Sequence, residues 1–113
     1  MARTVAILFA SAGAMLLPLA LSPAGAAAPG PKTYTVTIDK MKFGALPASV
    51  RIGDTIMWVN KDMFRHTATA RDNSFNVDLA PGARGTTKLT KAGMIAFYCR
   101  YHPGMTGRLA VAE

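Results

Sequence analysis

The chain has 113 residues, enough for one domain, and thirteen lysines and arginines against six acids give it a net charge of +7. Half the residues are apolar, which excludes an intrinsically disordered protein. A single cysteine excludes an intrachain disulfide, paired CxxC zinc fingers and a four-cysteine iron–sulfur centre, and two histidines exclude a three-histidine metal site.

The chain opens on Arg3, then an apolar run from Val5 to Leu21 broken only by Ser11, Gly13 and Pro18. Small residues follow, with Ala24-Gly25-Ala26 as an A-x-A site. This order of charged, apolar and small regions predicts a secretory signal over 1–26, cleaved after Ala26. The apolar run is about 17 residues, at the lower limit for spanning a bilayer, and Pro18 favours removal over anchoring. Residues 27–113 then form one exported domain without a membrane anchor, expected in the periplasm. Such a small domain often leans on disulfides, so this one must live on its core, on a metal, or on both.

The remaining chain predicts an all-β domain. Thr33 to Asp39 alternates threonine with Tyr34, Val36 and Ile38, the period of a half-buried strand. Short extended pieces follow over Met41–Phe43 and Ser49–Ile52, with a turn at Gly53-Asp54. Thr55 to Asn60 is apolar on both faces, which suits a central strand. His66 to Arg71 and Phe75 to Leu79 are the next strands, and Ala80-Pro81-Gly82 turns the chain. Arg84 to Thr90 is polar and expected on the surface. Ala92-Gly93 turns again before the last two strands, Met94–Cys99 and Met105–Ala112. The expected fold is a Greek-key β-sandwich of seven or eight strands.

The chemistry lies in the segment Cys99-Arg100-Tyr101-His102-Pro103-Gly104-Met105. Cys99 ends one strand and Met105 opens the next, with His102 midway, so thiolate, imidazole and thioether can converge. Ile95, Phe97 and Cys99 share one strand face, which turns the sulfur inward. The fourth candidate is His66, at the start of its own strand after the loop Lys61 to Arg65. Two histidines, one cysteine and a weak axial methionine are the ligands of a blue-copper electron-transfer site. Zinc also suits thiolate and imidazole, but redox use favours copper.

On these residues the chain resembles the cupredoxins, closest to the amicyanin and plastocyanin-like group. The resemblance runs from Tyr34 to Val111. It rests on Gly53-Asp54-Thr55, Trp58-Val59-Asn60 and His66, on the turns Pro81-Gly82-Ala83 and Ala92-Gly93, and on Cys99-x-x-His102-x-x-Met105, the short ligand loop of amicyanin. It implies one copper ion bound by His66 Nδ1, Cys99 Sγ, His102 Nδ1 and Met105 Sδ. Some positions depart from the family. Arg65 and Thr67 flank the first histidine where proline and asparagine are common. Arg100 follows the cysteine where threonine or serine is common, so both ends of a frequent side-chain link are changed. Tyr101 replaces a proline and retains an N–H. That N–H and the Thr67 N–H are the two donors expected at the Cys99 sulfur. Asn60 is expected to fix the ligand loop. Trp58 is expected in the core.

The resemblance also implies that His102 reaches the surface within an apolar patch, for which Pro47, Pro81, Pro103 and Gly104 are candidates. Arg65 and Arg100 beside two ligands, with the excess of cations, point to docking on an acidic partner surface. The partners implied are redox proteins, a dehydrogenase donor and a cytochrome acceptor, met by a monomer. The cations are scattered and export argues against nucleic acid. Two histidines cannot build the further sites of a copper enzyme, so the expected function is electron carriage. Copper delivery through the same ligands is the alternative.

Overall fold

The computed structural model describes residues 10–18 and 29–113. The expected cleavage after Ala26 lies outside the described residues. Among them, no helix is long and apolar enough to cross a membrane.

Nine strands follow in chain order: β1 (Thr33–Asp39), β2 (Lys42–Phe43), β3 (Val50–Arg51), β4 (Thr55–Asn60), β5 (His66–Ala70), β6 (Asn76–Leu79), β7 (Arg84–Lys88), β8 (Gly93–Tyr98) and β9 (Thr106–Ala112). The count exceeds the expected seven or eight because two short extended pieces each pair over two residues. They form two sheets, β2-β1-β4-β7 and β3-β9-β8-β5-β6. β1 runs parallel to β4, and β3 parallel to β9, so sheet neighbours are distant in sequence. This is the crossover pattern of a Greek-key sandwich.

Alternation along each strand decides what faces inward. Val36 and Ile38 of β1, Ile95 and Phe97 of β8, and Leu109 and Val111 of β9 are buried between the sheets. β4 is enclosed on both faces at its far end, where Trp58, Val59 and Asn60 are all buried. The aromatic centre is Trp58 against Phe97, with ring centroids 5.2 Å apart, and Phe43 against Phe97 at 4.8 Å, both edge-to-face. Trp58 is fully buried, as expected. Its indole N–H needs a partner there, and Thr87 Oγ1 accepts it at 3.0 Å.

That bond corrects in part the reading of 84–90 as a surface segment: Arg84, Thr86, Lys88 and Thr90 are exposed, but the alternate face is not. β7 pairs with β4 and turns Thr87 inward, and Leu89 beyond its end is also buried. A threonine-rich strand looks solvent-facing until its partner supplies a buried donor.

The two ends of β4 are tied down by side chains. At its start, the Asp54 carboxylate accepts the N–H groups of Lys32 at 2.9 Å and Arg51 at 2.8 Å. These bonds hold its carboxyl below the ordinary aspartate range. At its far end sits Asn60, on the side where the candidate ligands gather.

Candidate metal centre

The backbone register explains how ligands so far apart in sequence meet. β5 pairs with β8 through Thr69↔Tyr98 and Ala70↔Phe97, and β8 pairs with β9 through Tyr98↔Thr106. One step beyond these pairs, the β8–β9 hairpin opens into the loop 99–105 beside the start of β5. The loop closes on itself: Cys99 N–H donates to Met105 O at 3.0 Å, and Met105 N–H to His102 O at 2.8 Å. Cys99 and His66 are fully buried, Met105 is buried, and His102 is half-buried.

Cys99 Sγ lies 3.8 Å from His66 Nδ1 and 3.7 Å from His102 Nδ1. Candidate ligand atoms of the three side chains all lie within 4.8 Å of one another. Two donors about 2.05 and 2.3 Å from a common ion, at an angle of roughly 120°, stand about 3.8 Å apart. Thiolate plus two imidazoles at this spacing therefore fits one transition-metal ion of copper's ligand preference.

The ring orientation of His66 is set from behind. Its Nε2 lies 2.8 Å from Asp62 Oδ2. A carboxylate only accepts, so the proton sits on Nε2 and the Nδ1 lone pair faces the sulfur. The same oxygen accepts Met41 N–H at 2.9 Å, from the turn between β1 and β2 where Lys40 and Met41 adopt positive φ. The Met41 N–H and then the His66 ring hold the Asp62 carboxyl below the ordinary aspartate range. Sequence reasoning missed Asp62. Its one local signal is its place four residues before His66; its tie to Met41 crosses between elements. Replacing Asp62 with alanine is expected to weaken copper affinity about 10- to 100-fold, as loss of such an outer partner does. A competition titration with a copper chelator measures this, and unchanged affinity would contradict the role given to Asp62.

Asn60 anchors the loop that carries Asp62. Its buried amide donates to Phe64 O at 2.7 Å, Leu79 O at 3.0 Å and Ala80 O at 3.2 Å, and its Oδ1 accepts Asp62 N–H at 2.9 Å.

Of the two donors expected at the sulfur, Thr67 N–H lies 3.3 Å from Cys99 Sγ. The Tyr101 N–H makes no such bond among the described residues. The loop instead sends the Tyr101 ring outward, half-exposed, where its hydroxyl donates to Asp78 Oδ2 at 3.2 Å. The link whose two ends are changed is made through the backbone of one of them: Arg100 contributes its N–H, which donates to Thr67 Oγ1 at 2.9 Å.

Around half-buried His102, Pro103 and Gly104 are exposed, as is Pro81 on its own turn, while Pro47 is half-buried. Phe64 meets the His102 ring edge-to-face at 6.2 Å and is 53% exposed, next to Met63 at 84%. Arg100 is exposed. Arg65 is exposed too, but its guanidinium pairs with Asp78 at 3.1 Å, so its charge is partly answered within the chain.

No protein-family model matches the chain. It is 29% identical to amicyanin of Paracoccus denitrificans over 105 residues, covering 80% of this chain and 73% of that protein. It is 26% identical to amicyanin of Paracoccus versutus over 95 residues, covering 79% and 72%. Among solved structures it resembles an amicyanin variant in its Cu(I) form, with TM-score 0.62 and 26% identity over 74% of this chain and 84% of that one. An oxidised amicyanin variant gives TM-score 0.63 and 25% identity over 70% and 81%. Similarity in sequence and fold over most of both chains, together with the buried Cys–His–His cluster, supports an amicyanin-like cupredoxin.

Proposed function

We propose that this chain is a periplasmic one-electron carrier. It uses one copper ion held by His66 Nδ1, Cys99 Sγ, His102 Nδ1 and Met105 Sδ. The observation that carries this reading is the buried Cys99 sulfur 3.8 and 3.7 Å from two imidazole nitrogens. Carriage rather than catalysis follows from the amicyanin-like group and from the donor supply. Both histidines of the chain lie in one cluster, leaving none for a second metal site.

Copper bound here supplies a Cu(II)/Cu(I) couple, soft sulfur suiting the reduced ion and imidazole the oxidised one. The chain's own residues hold the ligand atoms still between the two states. Asp62 orients the His66 ring, the Thr67 N–H partly neutralises the thiolate, and the bonds inside loop 99–105 fix its span. Burial of Cys99 and His66 keeps water from the thiolate. His102 is the way out for the electron, since it alone of the three clustered side chains is not fully buried.

Partners dock at the exposed His102 end, on Pro103, Gly104, Pro81 and the neighbouring Phe64, with Pro47 at the margin. Small apolar contacts of this kind favour quick release. Arg100, and Arg65 in part, bias the encounter toward acidic redox proteins, read here as a dehydrogenase donor and a cytochrome acceptor. The leader 1–26 directs export and is removed after Ala26, leaving 27–113 as the working domain.

The test is the absorption spectrum of residues 27–113 after addition of copper(II), with Cys99→Ala beside it. The expected result is an intense visible thiolate-to-copper band, bleached by reductant, restored by oxidant and absent from the variant. A colourless protein, or weak bands independent of Cys99, would overturn electron carriage and favour copper delivery or a metal-free role.

A further inference from the structure

Behind the Thr67 N–H runs a chain of hydrogen bonds that the ligand set does not use. Thr67 Oγ1 and Thr69 Oγ1 are 2.9 Å apart, and Thr69 Oγ1 donates to Asn76 Oδ1 at 2.8 Å. A hydroxyl has one proton. Thr69 gives its proton to Asn76, so between the threonines Thr67 donates and Thr69 accepts. The Thr67 hydroxyl then presents a lone pair to the Arg100 N–H, which it accepts at 2.9 Å. Every proton along the row has one place. The row lies in the interior, with Thr67 fully buried and Thr69 5% exposed, and ends on exposed Asn76.

Its geometric effect falls on the thiolate. Arg100 directly follows Cys99, and Thr67 carries the only backbone N–H seen on Cys99 Sγ among the described residues, at 3.3 Å. The row therefore ties the residue after the cysteine to the residue that donates to its sulfur, across 33 positions of sequence. β5 and β8 stop pairing at Thr69↔Tyr98, so no ladder bond does this work. β6 supplies the far end, because Asn76 stands opposite Thr69 in register.

We propose that Thr69 and Asn76 are positioning residues for the copper site, acting through Thr67 to hold its N–H on the Cys99 sulfur. A hydrogen bond to a thiolate withdraws charge from the sulfur and favours the reduced state, so the row raises the reduction potential. This rests on the copper reading above, and its test separates the two.

The variants are Thr69→Val, which keeps the shape and removes the hydroxyl, and Thr69→Ser, which restores it. Asn76→Ala cuts the row at an exposed residue, where folding is least disturbed. In the metal-free chain, amide hydrogen exchange at Arg100 and Thr67 is expected to speed up about tenfold in Thr69→Val and to recover in Thr69→Ser, the scale of one hydrogen bond. In the copper-loaded chain, the potential is expected to fall as the preference for the reduced state drops tenfold, about 59 mV for one electron. Asn76→Ala is expected to shift both readouts the same way, by less. Unchanged exchange at Arg100 and Thr67 in both cutting variants would overturn the proposal, whether or not the chain binds copper. So would a blue wild-type protein whose potential does not move. Loss of stability alone, with the potential fixed, would mark the row as merely structural and also overturn it. A wild-type chain with no blue band, but with the expected exchange response, would defeat the copper reading and leave the hydrogen-bond row standing.

Discussion

Asn60→Ala is expected to lower the unfolding free energy by about 3 kcal/mol and to loosen the hold on the metal. Asn60 is fully buried at the end of β4, and its side chain serves four backbone groups. Two of them, Leu79 O and Ala80 O, belong to the end of β6 and the turn after it. The others, Phe64 O and Asp62 N–H, belong to the ligand loop. Alanine leaves these groups unpaired, at about 1–3 kcal/mol for each that water cannot reach. Since the loop is partly open, not all four count in full. Asn60→Asp is the informative companion. It retains the acceptor for Asp62 N–H but replaces the amide donor with oxygens that repel three carbonyls, so it is expected to be at least as damaging. Denaturant unfolding gives the stability, and copper release to a chelator gives the function. A change within about 0.5 kcal/mol, the range of an ordinary surface substitution, would contradict the role given to Asn60.

Gly107→Ala is expected to cost about 3 kcal/mol, with a fall in melting temperature of roughly 15 °C. Gly107 stands opposite Phe97 in the β8–β9 register, on the face that carries Leu109 and Val111 inward. A Cβ there would lie 2.3 Å from Phe97 Cζ and under 3 Å from both Cε atoms. The ring cannot step aside, because Phe43 and Trp58 already pack against it. Gly107 is thus a small residue required by a large neighbour, not by its own backbone. Gly104→Ala is the control, with nothing within 4 Å of its added carbon, and is expected to leave the melting temperature unchanged. Scanning calorimetry of the two variants decides it; equal melting temperatures would show that the core yields to the methyl group. Displacing Phe97 also moves the strand that delivers Cys99 two residues later, so Gly107→Ala is expected to shift the visible band as well.

What the amino-acid order determined by itself is whatever depends on short spacing. Alternation in β1, the doubly apolar β4 and the turn residues between strands placed most elements to within two residues, since a strand's two faces repeat every second position. Cys99 and His102 lie three positions apart, so their meeting was legible, and the scarcity of histidine pointed to His66. The tertiary structure decided what depends on partners far along the chain. Thr87 faces inward because Trp58 offers it an indole N–H from 29 positions away. Asp62 gains its role from a Met41 N–H 21 positions earlier, and Thr67 meets Arg100 across 33. The Tyr101 amide carried a donor like that of Thr67, yet only one of the two reaches the sulfur. A donor's presence is written in the residue; its direction is set by the strand pairing and loop closure around it. Hydrogen bonds form within about 3 Å, and no local pattern in sequence encodes which distant backbone will arrive at that distance.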